Sequence, residues 1–157
     1  MKMSANGLKL LKDWEGCVLK TYLDAAGLKT IGVGHLLTET EKKTGYINIA
    51  GNKVEYAHGI TLQQALDLLA QDVTPAEEAV NKAVTVSISQ NQFDTLVSFA
   101  FNVGCGGFRS STALKMVNQG RYDDVPEWLA KWNRAGGKVC DGLIVRRRNE
   151  IKLWETA

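Results

Sequence analysis

The stretch Trp14-Glu15-Gly16-Cys17-Val18-Leu19-Lys20-Thr21-Tyr22-Leu23-Asp24-Ala25-Ala26-Gly27-Leu28-Lys29-Thr30-Ile31-Gly32-Val33-Gly34-His35 changes its hydrophobic period partway along, and that change decides the fold. Ahead of Gly16, Leu8, Leu10, Leu11 and Trp14 follow an amphipathic helical pattern, so a first helix is predicted from about Ser4 to Glu15 with Gly16 as its stop. Beyond it, the β-branched and aromatic residues Val18, Thr21, Tyr22, Thr30, Ile31 and Val33 flank Asp24-Ala25-Ala26-Gly27. This reads as a hairpin whose glycine takes the positive φ a tight turn needs. Glu15 falls at a helix end, and Asp24 falls where strand meets turn.

Working outward, residues 36–60 are charged and turn-prone, with a short strand expected around Ile47 and Val54. Thr61 followed by Gln64 is a capping-box signature, and Leu62, Ala65, Leu66, Leu69 and Val73 have helical spacing, so a long helix starts there. Pro75 either kinks that helix or begins a second one running to about Val84. Ser89 with Gln92 repeats the capping signature ahead of the apolar face Phe93, Leu96, Val97, Ala100 and Phe101, which Gly104 ends. Ser111–Gln119 and Asp124–Trp132 read as short helices, the latter with Trp128 and Trp132 on one buried face. Gly136-Gly137 breaks the chain before a last helix from about Leu143 to Trp154. The outline is an α+β, mostly α fold: a small β-containing lobe near the N-terminus and a larger helical lobe behind it.

The 157 residues suffice for one domain with a real core, and 45% hydrophobic content is ordinary for a soluble globule. A net charge of +2 does not demand nucleic acid, and the triplet Arg146-Arg147-Arg148 lacks the interleaved aromatics of a nucleic-acid site. Cys17, Cys105 and Cys140 are an odd, irregularly spaced set with no nearby histidine cluster, which argues against a zinc site and leaves two readings, free buried thiols or one disulfide with a spare thiol. No cofactor or metal is implied, and His58 reads as a surface residue. Met1–Gly7 holds no apolar signal core, and no segment approaches the roughly 18 consecutive apolar residues of a membrane span. The expectation is accumulation in the cytoplasm without a membrane anchor, so that an extracytoplasmic substrate would require some other agent to let the chain out.

Glu15, Asp24 and Thr30 bring two carboxyls and a hydroxyl into one short stretch. Hydrolysis of a glycosidic bond needs such a set: one carboxyl protonates the departing oxygen while another group holds a water on the opposite face of the sugar.

At Trp14-Glu15-Gly16, Asp24 and Thr30-Ile31-Gly32-Val33-Gly34-His35-Leu36 the sequence resembles the phage-type lysozymes, or endolysins, of glycoside hydrolase family twenty-four. Eight residues separate Glu15 from Asp24 and five separate Asp24 from Thr30, as in that family. The resemblance continues through Asn91-Gln92-Phe93-Asp94-Thr95-Leu96, Phe101-Asn102-Val103-Gly104 and Arg146-Arg147-Arg148-Asn149-Glu150, and so covers nearly the whole chain. It implies a single lysozyme-like domain over residues 1–157, with a β-containing lobe at about 14–60, a helical lobe at about 61–157, and the N-terminal helix joining them. It further implies a cleft for alternating N-acetylglucosamine and N-acetylmuramic acid, and hydrolysis of the β-1,4 bond between them in peptidoglycan, with inversion. The expected setting is a monomeric, phage-encoded enzyme held in the host cytoplasm until a holin releases it to the wall. A lytic transglycosylase and a catalytically decayed wall-binding module are the alternatives; a transglycosylase needs only one essential glutamate, which Asp24 and Thr30 argue against.

The resemblance assigns the parts. Glu15 is the expected general acid, kept protonated by an apolar setting at the helix end. Asp24 orients the attacking water, although a turn aspartate bonding its own backbone is the plain alternative. Thr30 helps hold that water through a hydroxyl that both donates and accepts, its plain alternative being β-propensity. Leu36, Phe101 and Asn102 match substrate-lining positions, with Ser111, Thr112 and Trp128 as further candidates. Taken alone, Phe101 reads as core. His35 supports the hairpin, paired with an acidic residue such as Asp67 or Asp72. Of the basic triplet, Arg146 or Arg147 is expected to orient Glu15, and the others to meet carboxylates of the wall's peptide stems.

Overall fold

Ser4 starts the first helix, α1 (Ala5–Glu15): its Oγ accepts the Gly7 N–H at 2.9 Å, an N-cap bond. In the computed structural model, which describes residues 1–157, the chain divides into two compact units, residues 8–74 and residues 1–7 with 75–157. α1 begins in the second and ends in the first.

In the unit of residues 8–74, β1 (Val18–Leu23), β2 (Lys29–Gly32) and β3 (His35–Leu36) form an antiparallel sheet in that order. The register pairs Tyr22 with Thr30 and Thr30 with Leu36, so these three residues lie in one row across the sheet. A helix that the sequence reading did not foresee, α2 (Glu39–Thr44), follows with a complete capping box between Thr38 and Glu41. The strand expected near Ile47 and Val54 is a hairpin, β4 (Tyr46–Ile49) and β5 (Asn52–Glu55), with those two residues directly paired. Its two-residue turn places both Ala50 (φ 51°) and Gly51 (φ 80°) in the left-handed region. Gln71 of α3 (Leu62–Asp72) clamps the hairpin, accepting the Ala50 N–H at 2.8 Å and donating to the Asn48 carbonyl at 3.0 Å. Ile31, Leu37, Ile47, Ile49, Ile60, Ala65 and Leu68 form the core, with Cys17, Val54 and Tyr56 packed on it.

The helix that opens at Thr61 stops at Asp72. Val73 caps it, and α4 (Thr74–Ala83) starts anew with Pro75 in its first turn, where a missing N–H costs nothing.

The second unit is helical. α5 (Gln90–Val103) carries the capping box at Ser89 and Gln92 and buries Phe93, Leu96, Val97, Phe99 and Ala100, largely against α9 (Asp141–Trp154). α6 (Cys105–Arg109), α7 (Thr112–Asn118) and α8 (Val125–Ala130) surround this pair, and a small hairpin, β6 (Arg134–Ala135) and β7 (Lys138–Val139), turns at Gly136-Gly137. Fully buried Asp94 ties the N-terminal residues to α5: it accepts from the Ser4 N–H at 3.0 Å, from the Ser4 hydroxyl and from Gln90. A Cβ on Gly7 would stand 2.6 Å from the Asp94 carboxylate, so only glycine fits there.

α8 ends at Ala130, short of the predicted Trp132, so the two tryptophans do not share a helical face. Trp132 packs edge-on to Phe99 at 5.5 Å, while half-buried Trp128 lies under the Lys131 ammonium at 4.1 Å.

Candidate active site

Glu15 is the last residue of α1, where Gly16 at φ 83° lets the chain leave the helix while its N–H still reaches the Lys12 carbonyl at 2.8 Å. The residue is exposed.

Asp24 begins the turn between β1 and β2. Its Oδ1 accepts the N–H groups of Ala26 at 2.9 Å and Leu28 at 2.8 Å, and its backbone bonds Leu28 and Gly27 across the same loop. The turn use foreseen for this residue is therefore real, yet it occupies one carboxylate oxygen only. Oδ2 has no hydrogen-bond partner in the protein.

Thr30 lies in β2, 2% exposed, and its hydroxyl donates to the Leu28 carbonyl at 2.9 Å. With its hydrogen committed, the oxygen can only accept from a neighbouring water. Leu36, in the same row of the sheet, is 49% exposed and offers apolar surface beside it.

His35 sits behind this sheet between two acids. Its Nδ1 meets Asp72 Oδ2 at 2.8 Å, one of the two partners the sequence suggested, and its Nε2 meets Glu41 Oε1 at 2.9 Å, a partner not foreseen. Burial alone would favour the neutral ring, but the hydrogen bonds and charges of Asp72 and Glu41 outweigh it and raise the pKa to about 9. Both ring nitrogens of the imidazolium donate. Glu41 also accepts the Thr38 N–H at 2.9 Å, and its carbonyl accepts the Tyr56 hydroxyl at 2.8 Å, so this residue of α2 ties β3 to the residue that follows β5.

In the helical unit, Phe101 is half-buried rather than core, and Asn102 is exposed. Arg146 and Arg147 are buried around Glu150, which is 0% exposed. Arg147 donates to Glu150 Oε1 at 2.8 Å and to Asn102 Oδ1, and its guanidinium lies 5.1 Å from the Phe99 ring centroid. Arg146 donates to Glu150 Oε2 at 3.3 Å and to the Ser98 carbonyl at 3.1 Å, while the Ser98 hydroxyl donates to Glu150 Oε2 at 2.6 Å. Buried this deeply, Arg146 and Arg147 cannot serve as the surface cations expected to meet peptide-stem carboxylates. Only Arg148 is exposed. Glu150 is the organising residue the sequence reading missed; its spacing of four and three from the two arginines was the available signal.

The remaining candidates separate cleanly. Ser111 is buried and spends its hydroxyl on the Phe108 carbonyl at 2.7 Å and the Leu114 N–H at 3.1 Å as the N-cap of α7, whereas Thr112 and Trp128 are half-buried. His58 is exposed, and Cys17, Cys105 and Cys140 are all free thiols. No helix is long and apolar enough to cross a membrane.

The fold is that of a lysozyme: a crystal structure of a P22 lysozyme variant superposes with a TM-score of 0.84 at 37% identity, covering 99% of both chains. The muramidase domain of SpmX from Asticaccaulis excentricus matches with a TM-score of 0.80 at 34% identity, again covering 99% of each chain. The phage lysozyme family model matches residues 12–150, and the chain belongs to that family. The endolysin of Bacillus phage PZA is 42% identical over 99% of this chain but only 56% of its own length, so the chain spans little more than half of that relative.

Proposed function

We propose that this chain is an endolysin that hydrolyses the β-1,4 bond between N-acetylmuramic acid and N-acetylglucosamine in bacterial peptidoglycan, with inversion. The carrying observation is the division of labour within Asp24: Oδ1 is fixed by two backbone N–H groups, so Oδ2 is aimed with little freedom to wander. A carboxylate oriented in this way is suited to positioning a water for in-line attack. Thr30 supports the same water as an acceptor, and Glu15 protonates the leaving oxygen. Because Glu15 is exposed, the covering saccharide itself supplies the desolvation that keeps its proton until bond cleavage.

Leu36 and Phe101 offer apolar surface to the sugar rings, and Asn102 a hydrogen bond. His35 holds the hairpin and Arg147 holds Asn102. Residues 1–157 act as one catalytic domain of two lobes, monomeric, made in the host cytoplasm and delivered to the wall through a holin lesion.

The deciding experiment is the anomer released from purified peptidoglycan. The α-anomer as first product from the native chain, with hydrolysis falling at least about a thousandfold in Glu15→Gln, is expected. Release of the β-anomer, anhydromuramic products, or near-normal lysis by Glu15→Gln would overturn the assignment.

A further inference from the structure

We infer that Tyr22 sets which nucleophile the site accepts: with Leu36 it walls a slot over Thr30 that a water fills and an alcohol does not, so the glycan is passed to water and not to another hydroxyl. Tyr22 of β1, Thr30 of β2 and Leu36 of β3 are paired across the sheet, so their side chains rise on one face. Ile31, next to Thr30, is 0% exposed in the core behind the sheet, so the row stands on the opposite face. Strands about 4.8 Å apart put the Tyr22 and Leu36 backbones about 10 Å from each other, with the shortest side chain of the row between them. A phenol ring and an isobutyl group both overtop a threonine. Thr30 is accordingly 2% exposed although Leu36 beside it is 49% exposed, which leaves an opening over the Thr30 hydroxyl no wider than a water. Tyr22 is half-buried and its hydroxyl bonds nothing in the protein, so what it brings to the slot is the bulk of its ring.

Hydrogen-bond counting selects the same molecule. Thr30 has given its hydrogen to the Leu28 carbonyl, and the loop's N–H groups occupy Asp24 Oδ1, so Thr30 Oγ1 and Asp24 Oδ2 remain as two acceptors. A nucleophile held by both must bring two hydrogens. Water has two. An alcohol has one, and the walls leave no room for a second molecule to serve the acceptor left over. Where room exists, alcoholysis balances as hydrolysis does: the anomeric carbon releases the bridging oxygen, which takes the Glu15 proton, and bonds the alcohol oxygen, whose proton goes to Asp24. Tyr22 is thus a specificity-determining residue that acts on the attacking molecule. This rests on the peptidoglycan reading of the site.

The test is digestion of purified peptidoglycan in buffer containing methanol, with the products weighed by mass spectrometry. Hydrolysis leaves a free reducing end, and methanolysis leaves a methyl glycoside one methylene heavier. The native chain should give free reducing ends almost exclusively. Tyr22→Ala and the smaller cut Tyr22→Val lower one wall, and the methyl glycoside share should rise at least about tenfold, the discrimination a closed pocket exerts over one extra carbon. Leu36→Ala, at a half-exposed position, should raise it too, whereas Tyr22→Phe keeps the ring and should partition as the native chain does. Melting temperatures measured in the same methanol identify the folded variants. Equal methyl glycoside shares in the native chain and the wall variants would overturn this inference and leave the muramidase reading intact. Loss of all cleavage in folded wall variants would overturn it too, since these side chains would then act on the glycan. Failure of the native chain to cleave peptidoglycan in buffer alone would instead overturn that reading, and this inference with it.

Discussion

His35 stands between two carboxylates and Glu150 between two guanidiniums, so the two units carry ion clusters of the same design with the signs exchanged. They differ in surroundings. Glu150 and its arginines are shut away from water, where breaking the arrangement leaves charge that solvent cannot reach. The His35 cluster keeps its acids partly wet, with 16% and 27% of the Glu41 and Asp72 side chains exposed, so water can relieve a lost partner. Central charge and partner count are thus poor guides to energetic weight; burial sets it.

Removing the central charge should separate the two clusters most sharply. Glu150→Gln leaves two buried guanidiniums facing an amide, and a loss of about 3–5 kcal/mol in urea unfolding is expected. A loss below about 1 kcal/mol would mean that the two clusters are energetically alike, and the contrast would fail. Next in size is a pH effect confined to the other cluster. Because folding raises the His35 pKa from 6.5 to about 9, its contribution is complete below pH 6.5 and disappears as pH rises through 9. Solvent screening at the half-wet site reduces this to about 1–2 kcal/mol between pH 6 and pH 9.5, and His35→Asn should flatten that part of the stability profile. Glu41→Gln removes one of the two acids and should lower the His35 titration midpoint, read by NMR, by about one unit while costing about 1 kcal/mol. The smallest effect lies outside both clusters: Ala50→Gly, relieving a left-handed alanine in the β4–β5 turn, should gain about 0.5–1 kcal/mol and leave the His35 titration unmoved.

What the sequence disclosed followed from periodicity and turn chemistry. The period change at Gly16, the capping pairs at Thr61 with Gln64 and at Ser89 with Gln92, and the strand residues Ile47 and Val54 each stand where local pattern placed them. α2 escaped notice because none of its residues is buried: Glu39–Thr44 has no apolar stripe, and only the capping pair Thr38 and Glu41 marked it. Trp132 was assigned to a helix by spacing, but the chain leaves that helix at Ala130 and the ring packs on Phe99 from outside it. All but one of the basic triplet were expected to meet the wall's peptide stems, and only tertiary packing shows that Arg146 and Arg147 are both buried. Glu15, Asp24 and Thr30 were visible as residue types at the right spacing. Which oxygen of Asp24 the turn consumes and where the Thr30 hydrogen is spent were not, because both depend on the folded loop.

The double use proposed for Asp24 has a practical side. An amide in place of that carboxylate keeps an Oδ1 acceptor for Ala26 and Leu28, so Asp24→Asn should preserve the hairpin while slowing turnover, whereas Asp24→Ala would loosen the loop as well. The asparagine variant is therefore the reagent of choice for trapping an uncleaved glycan in a crystal or on a sensor surface. Comparison of its hydrogen-exchange pattern with that of the alanine variant would separate what the loop contributes as scaffold from what it contributes as chemistry.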